Sequence, residues 1–153
     1  MLLADVVKAL TSHHVEYAIV GGYAVALYGA VRGTVDLDLV LELDEANYCA
    51  AEKALISIGL ASRVPVTAKD VFHFREEYIH ERNMIAWSFV DPSDRSRLVD
   101  IIITFAERKI PTTKIKALGM SIPVLQINAL IAMKKTAGRA QDIQDISALE
   151  RLK

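Results

Sequence analysis

The hydrophobic pattern of this 153-residue chain begins with a helical period and then changes to the shorter period of a strand. Within residues 2–13, one helical stripe consists of Leu3, Val6, Val7 and Leu10. Residues 16–20 (EYAIV) predict a short strand, and residues 23–29 are rich in helix formers. Because Gly21 and Gly22 lie between them, the pattern predicts a strand, a tight glycine turn and a helix.

Residues 36–43 (DLDLVLEL) alternate with a period of two, which is typical of a strand with two different faces. The four leucines of this stretch share one face. The other face carries Asp36, Asp38, Val40 and Glu42. Asp44 is a predicted N-cap for a helix over about residues 45–58, which we expect to end near Gly59.

The second half of the chain also mixes the two periods. Strands are predicted at residues 84–90 and 98–103, and a strand pair at 114–118 and 121–124 joined at Gly119-Met120. Residues 68–82 fit either a polar helix or a loop. Two helices follow over about 125–136 and 139–152, the second with an inner stripe of Ile143, Ile146, Leu149 and Leu152. The mixture predicts a single α/β or α+β domain over residues 1–153.

Composition narrows the class of protein. The chain is 52% hydrophobic and 24% charged, which argues against disorder. Cys49 is the single cysteine, so no intrachain disulfide can form and a cytoplasmic location is expected. The N-terminus lacks a basic leader, and no apolar run approaches the roughly 18 residues that span a bilayer, so we expect no membrane partner.

Charge is distributed unevenly between the two parts of the chain. Residues 1–106 hold 9 Lys and Arg against 15 Asp and Glu, whereas residues 107–153 hold 9 against 4. The basic C-terminal part could meet a polyanion such as a nucleotide or RNA. Alternatively, the two oppositely charged parts attract each other across the fold.

Two carboxylates share the polar face of the strand at residues 36–43. The period of two places Asp36 and Asp38 about 7 Å apart, where like charges repel, and a divalent cation such as Mg²⁺ between them would remove the repulsion. Asp100 is the candidate third ligand, because an ionised Asp inside the apolar stretch LVDIII is unfavourable unless paired or metal-bound. The alternatives are a turn role for Asp36, a solvated Asp38, and an ion pair between Asp100 and Arg97.

The glycine pair and the acids together resemble the signature of the polymerase-β-type nucleotidyltransferase superfamily. That signature has a hydrophobic residue and two small residues, a short helix, Asp-hydrophobic-Asp on a strand, and a third acid on a neighbouring strand. Arg32, Thr34 and Asp36 resemble the R-x-T-x-D-x-D form of minimal bacterial nucleotidyltransferases, including the group related to AbiEii-type toxins. More loosely, the segment KKTAGRAQDIQDI resembles later elements of that group through Lys134, Arg139, Asp142 and Asp145.

The resemblance implies the nucleotidyltransferase fold, a mixed β-sheet flanked by helices with further helices at the C-terminus. It implies transfer of a nucleoside monophosphate from an NTP to an acceptor, which is RNA, protein or a small molecule, with no DNA predicted. Two Mg²⁺ ions, or Mn²⁺, would be held by Asp36, Asp38 and Asp100. The triphosphate would be bound by Gly21, Gly22, Arg32, Thr34, Lys134 and Arg139. A partner antitoxin protein is also allowed.

Two alternatives remain open for the function and for one site residue. The chain has little beyond the expected catalytic core, which also fits a non-catalytic module that binds a nucleotide or RNA. Lys135, Arg139 and Asp142 fall at helical spacing, so Arg139 could belong to a surface salt-bridge ladder instead of a phosphate site.

Overall fold

The computed structural model describes residues 1–33 and 36–153. The helices of these residues are α1 (Leu2–Ser12), α2 (Gly21–Leu27), α3 (Glu45–Ser57), α4 (Ala68–His73), α5 (Arg75–Arg82), α6 (Ile127–Ala137) and α7 (Ala140–Arg151). The strands are β1 (Tyr17–Val20), β2 (Leu37–Leu41), β3 (Ala61–Ser62), β4 (Ala86–Asp91), β5 (Asp94–Ile102), β6 (Thr112–Ala117) and β7 (Met120–Leu125).

The strands form one mixed sheet in the order β3-β4-β5-β2-β1-β7-β6. Strand β2 lies antiparallel to β1 and parallel to β5, while β7 lies parallel to β1. Two hairpins, β4–β5 and β6–β7, extend the sheet on either side. The predicted mixed sheet flanked by helices is confirmed.

The two faces of the central strands differ in polarity, as the alternation in residues 36–43 predicts. Leu37, Leu39 and Leu41 are completely buried, and they belong to one hydrophobic core with apolar side chains of α1 and α3. Trp87 and Phe89 also lie in this core, where they pack the sheet. The opposite face carries Asp38 and is covered only in part, which leaves room for chemistry there.

The helices pack in two groups, α1 with α3 and α4, and α2 with α6 and α7. No helix in the described ranges combines the length and the apolar character needed to cross a membrane. Residues 68–82, predicted as helix or loop, form two helices that meet at Phe74, and Thr67 and Asp70 form a capping box at the start of α4. The two-residue strand β3 carries too little pattern to be predicted.

Two helix predictions need correction. Helix α2 begins at Gly21 itself, so the glycines form its first turn instead of a separate turn before Tyr23. On α7 the predicted inner stripe is partly wrong, because Ile143 is 63% exposed and Leu152 is 41% exposed. Leu149 is buried, but its buried neighbours on the helix are Asp142 and Asp145. The two acids can be buried because ion pairs with Lys134 and Arg32 satisfy them. The acids therefore take the inner face of α7, and Ile143 faces the solvent.

Candidate active site

A row of four residues crosses the sheet at the end of β1. Val20 pairs with Asp38, Asp38 pairs with Asp100 on the parallel strand β5, and Asp100 pairs with Ser88 on β4. Residues paired directly across strands project from the same face, so the two carboxylates are neighbours on the open face of the sheet. The Ser88 hydroxyl donates a hydrogen bond to Asp100 Oδ1. Arg97, the alternative partner of Asp100, pairs instead with Asp5 and Asp91.

Asp38 has a strongly perturbed carboxyl group. Its pKa is raised to about 7, mainly by burial and also by the negative charges of Asp100 and Asp36, against the lowering effect of the Lys134 and Arg139 charges. Asp38 is therefore not a freely solvated acid on a one-sided strand. It lies in a site with an excess of carboxylates, which is the electrostatic condition that favours a bound cation.

The metal-free protein should show the effect of Asp38 on stability. Because the folded pKa is raised from 3.8 to about 7, the folded state holds a proton between these values that the unfolded chain releases. The free energy of unfolding therefore loses this contribution as pH rises through 7. In EDTA at pH 8, we expect the free energy of unfolding of Asp38→Asn to be about 2 kcal/mol higher than that of wild type. Near pH 4, where Asp38 is protonated in the folded state, we expect the two free energies to be equal. Urea denaturation at both pH values measures this, and an equal difference at the two would contradict it.

Gly21 is required by its contact with Asp38. Its backbone has a φ of +69°, and a Cβ atom at this position would lie 2.3 Å from Asp38 Oδ2. No side chain fits at that distance, so the carboxylate of Asp38 is seated against a residue that must lack one. Gly22 is buried one residue further along α2. The sequence predicts the glycine pair, and the structure adds the contact between Gly21 and Asp38.

Gly21→Ala is expected to displace the Asp38 carboxylate. The matched control is Gly119→Ala. Gly119 has a similar φ of +73°, but a Cβ atom at this position would have no neighbouring atom within 4 Å. Both variants should lose about 1 kcal/mol of stability from the left-handed backbone, and Gly21→Ala should lose more because of the clash. Urea denaturation and titration of Mg²⁺ with NTP measure the two effects. Equal behaviour of the two variants would show that the contact with Asp38 is unimportant.

A cavity of about 490 Å³ lies beside Asp38, in the size range of small-molecule sites. Its wall includes Gly21 and Asp38, and it also includes the charged residues Lys134, Arg139 and Asp142. The remaining wall is largely apolar and consists of Val20, Ile85, Ile102, Thr104, Leu130, Met133, Thr136 and Ala137. The cavity therefore combines carboxylates, cations and an apolar surface.

Two buried aspartates of α7 hold Lys134, which lies on the cavity wall, and Arg32, which lies outside the cavity lining. Lys134 is 5% exposed, and its Nζ lies 2.9 Å from Asp145 Oδ2 and 3.5 Å from Asp142 Oδ1. Arg32 Nε lies 3.1 Å from Asp145 Oδ1, which links the segment before β2 to α7. Burial raises the pKa of Asp145, but hydrogen bonds from Lys134, Arg32 and Gln141 outweigh it and hold that pKa below its usual range. Lys134 and Arg32 thus meet two acids whose pKa values are held below the usual range.

Arg139 lies on the cavity wall and forms an ion pair with Asp142. Its Nε lies 2.8 Å from Asp142 Oδ2, and its backbone N–H donates to the same oxygen at the start of α7. The side-chain hydrogen bond from Arg139 is the main cause that lowers the pKa of Asp142. The ion pair of the alternative exists, but Asp142 is buried instead of lying on a surface ladder, and the Arg139 side chain is 77% exposed beside the cavity.

The structure brings most, but not all, of the predicted site residues together. Gly21, Asp38, Lys134 and Arg139 line one cavity, and Asp100 is the neighbour of Asp38. Asp36 is exposed just before β2 and acts on Asp38 through its charge. Gly22 and Arg32 do not line the cavity, and Arg32 is directed to Asp145. Thr34 lies outside the described residues.

The sequence analysis names Asp142 and Asp145 as motif residues but assigns them no role in the site, and it does not identify Ser88. The two acids are three residues apart on a helix, and the helical spacing from Leu149 would have placed Asp142 and Asp145 on its inner face. Ser88 has no motif, and its role depends on the pairing between β4 and β5.

The donors near Asp38 fit a hard divalent cation by their chemistry, because carboxylate oxygens are the ligands that Mg²⁺ prefers. Within residues 1–33 and 36–153, no three His, Cys, Asp or Glu side chains are already arranged to hold a metal ion. The sheet fixes the pair Asp38 and Asp100 by register, whereas Asp36 lies outside the strand. Binding of a cation would therefore require adjustment of the Asp36 side chain or ligands from water and substrate.

A larger cavity of about 700 Å³ lies near the far end of β2, away from these carboxylates. Two of its polar side chains, Asn47 and Glu42, are already engaged in the fold. Asn47 bonds to backbone groups of Glu16 and Glu42, and Glu42 Oε2 accepts from the N–H of Ile110. We therefore assign the chemistry to the smaller cavity beside Asp38.

No family model matches the sequence, and no curated protein is found to be similar to it. Solved structures do share its fold. The antibiotic-resistance factor ANT(2'')-Ia has a TM-score of 0.66 at 12% identity, over 97% of this chain and 80% of that one. A candidate nucleotidyltransferase from Thermotoga maritima, TM1012, has a TM-score of 0.62 at 15% identity, over 99% and 91%. An antigenic nucleotidyltransferase-like protein from Paracoccidioides brasiliensis has a TM-score of 0.59 at 19% identity, over 99% and 75%. The chain has the fold of nucleotidyltransferases.

Proposed function

We propose that the protein is a metal-dependent nucleotidyltransferase that moves a nucleoside monophosphate from an NTP to an acceptor hydroxyl. The carrying observation is the pairing of Asp38 with Asp100 beside a cavity whose wall also holds Lys134 and Arg139. An NTP suits this cavity because its triphosphate brings negative charge to the cations and its base can contact the apolar wall. Fold neighbours described as nucleotidyltransferases support the same chemistry.

Asp36, Asp38 and Asp100 would hold the metal, as two Mg²⁺ ions or as Mn²⁺. When bound, such ions supply charge neutralisation at the attacking and leaving oxygens of the transferred phosphoryl group. Gly21 keeps the Asp38 carboxylate in place, and Ser88 orients the Asp100 carboxylate through Oδ1. The excess of negative charge on these acids would then exist only in the metal-free state, because the bound cations would balance it.

The cations beside the cavity would bind the triphosphate. Among these cations, Arg139 has an exposed side chain. Its guanidinium can therefore reach a phosphate while its ion pair with Asp142 holds the guanidinium in place. Lys134 is buried between two acids and would act as a fixed positive charge behind the phosphates. Arg32 would hold the segment before β2 through Asp145. Thr34, Gly21 and Gly22 remain predicted phosphate contacts of the same region.

In the transfer, the acceptor oxygen forms a bond to the α-phosphorus while the bond from that phosphorus to the pyrophosphate oxygen breaks. The hydroxyl proton passes to Asp100 Oδ2, since Oδ1 already accepts from Ser88. Pyrophosphate leaves with the electron pair of the broken bond, on the side of Lys134 and Arg139. These roles need correct positioning more than covalent chemistry from the protein.

Incubation of the protein with α-labelled NTPs, Mg²⁺ and cell extract tests the proposal. We expect a labelled acceptor that requires Mg²⁺ or Mn²⁺ and disappears in EDTA. The alternative, a non-catalytic module that binds a nucleotide or RNA, predicts binding by calorimetry that needs no metal, survives Asp38→Asn, and leads to no transfer. That result would refute the enzymatic proposal.

A role as a toxin of the AbiEii-related group is the finer form of the proposal. It is supported by two segments, residues 32–38 and residues 134–145, which resemble motifs of that group. Expression of the wild-type chain should then arrest growth, while Asp38→Asn should not, and a partner antitoxin should restore growth. Equal growth with both chains would contradict the toxin role without affecting the transfer reaction.

A further inference from the structure

A second depression lies on the other side of Asp100, away from the cavity beside Asp38. It has a volume of about 290 Å³ and is lined by Arg63, Val64, Met84, Ala86 and Ser88. We call it the Arg63 groove. Ser88 belongs to it and also donates to Asp100, so the groove reaches the carboxylate that would receive the acceptor proton.

The wall that carries Arg63 is fixed by hydrogen bonds to β4. The backbone N–H of Arg63 donates to the carbonyl of Ser88 at 2.9 Å. Trp87 Nε1 donates to Ser62 Oγ at 2.9 Å, and Ser62 Oγ donates to the carbonyl of Val64 at 2.7 Å. Because these bonds hold the segment on both sides of Arg63, the start of its side chain has a defined place beside Ser88, the partner of Asp100.

The position of the Arg63 groove matches the geometry of an in-line displacement. The attacking and leaving oxygens lie on opposite sides of the phosphorus in such a reaction. Lys134 and Arg139 place the leaving pyrophosphate on the Asp38 side, so the attacking hydroxyl must arrive from the side of Asp100 and Ser88. The Arg63 groove is a depression on that side.

The chemistry of the groove indicates the acceptor. Arg63 is exposed and forms no ion pair with another described residue, so its charge is available to an anion. Met84, Ala86 and Val64 offer a small apolar surface suited to a sugar or base. We propose, on the basis of the proposed function, that the Arg63 groove binds the acceptor and selects a hydroxyl compound that carries a phosphate, with Arg63 on the phosphate.

Nucleosides and their 5′-monophosphates provide a direct test, because each pair differs only in the phosphate. α-Labelled NTPs and Mg²⁺ are incubated with each compound and, separately, with total RNA, which has the same phosphate chemistry. We expect wild type to label monophosphates or RNA at least about 10-fold faster than nucleosides, the effect of one charged hydrogen bond. Labelling of RNA alone would assign the phosphate to a polymer, and labelling of monophosphates would assign it to a small molecule.

Arg63→Ala should remove this preference and leave binding of Mg²⁺ and NTP unchanged, while Arg63→Lys should restore part of it. Arg95→Ala is the matched control, because Arg95 is an exposed arginine on β5 without an ion pair in the described chain, about 17 Å from Asp100 along the strand. Both alanine variants should fold normally, since neither side chain is buried.

The outcomes separate the two proposals. If wild type neither binds Mg²⁺ with NTP nor transfers a nucleotide, the proposed function and this inference both fail. If wild type labels nucleosides as well as monophosphates, labels only a neutral molecule or a protein, or binds NTP without labelling any probe, the inference fails alone. It also fails if Arg63→Ala keeps the preference for a phosphate.

Discussion

Asp100→Asn and Asp38→Asn are each expected to lower nucleotide transfer at least about 100-fold. Even residues that only support a metal ligand change metal affinity or activity by about 10- to 100-fold, so loss of a ligand should do more. The amide keeps the shape of each side chain but removes the charge that the proposed cation requires. Labelled transfer and titration with Mg²⁺ measure the effect.

The control for these variants is Asp94→Asn. Asp94 is an exposed acid at the start of β5, the same strand as Asp100, and its carboxylate bonds only to Ser96 among the described residues. We expect transfer by this variant at the wild-type rate. Because Asp38→Asn should gain stability at pH 8 while losing activity, unfolding cannot explain its loss. Wild-type activity of either site variant would remove the metal-dependent mechanism.

Asp145→Ala is expected to lower the free energy of unfolding by about 3–5 kcal/mol. Removal of one partner of a buried ion pair leaves an uncompensated charge, and this is the range usually observed. Here Lys134 loses its partner at 2.9 Å, and Arg32 loses its partner on α7. Asp142 still lies 3.5 Å from Lys134, which favours the lower end of the range. Urea denaturation at pH 7 measures the loss.

Glu150→Ala is the matched control for Asp145→Ala. Glu150 also lies on α7 and pairs with Lys153, but both side chains are partly exposed. An exposed pair contributes little, so we expect a change within about 0.5 kcal/mol. A similar small change for Asp145→Ala would mean that the pairs with Lys134 and Arg32 do not hold α7 in place. Weaker NTP binding by a folded Asp145→Asn would further indicate that Asp145 positions these cations.

The elements of the fold were predictable where the local pattern is strong. The leucines of residues 36–43 define a strand whose buried face the structure confirms, and Asp44 caps α3 as expected. Prediction failed where distant partners decide burial. The apolar stripe of α7 placed Ile143 inside, but Asp142 and Asp145 are buried because Lys134 and Arg32 neutralise them. A local pattern carries no information on such partners.

For the candidate site, the sequence by itself determined the types of residue and their order. It placed Asp38 on the polar face of a strand, Asp100 inside an apolar strand and a glycine pair after β1, because the period of a strand and the conformational freedom of glycine are local properties. Asp36, predicted on the same strand as Asp38, lies just before β2. Only the tertiary structure decided that Asp38 adjoins Asp100, that Asp38 is seated against Gly21, and that Lys134 lies between two buried acids. Strand register and the burial of charge depend on contacts between residues far apart in the chain, and folding alone brings these together.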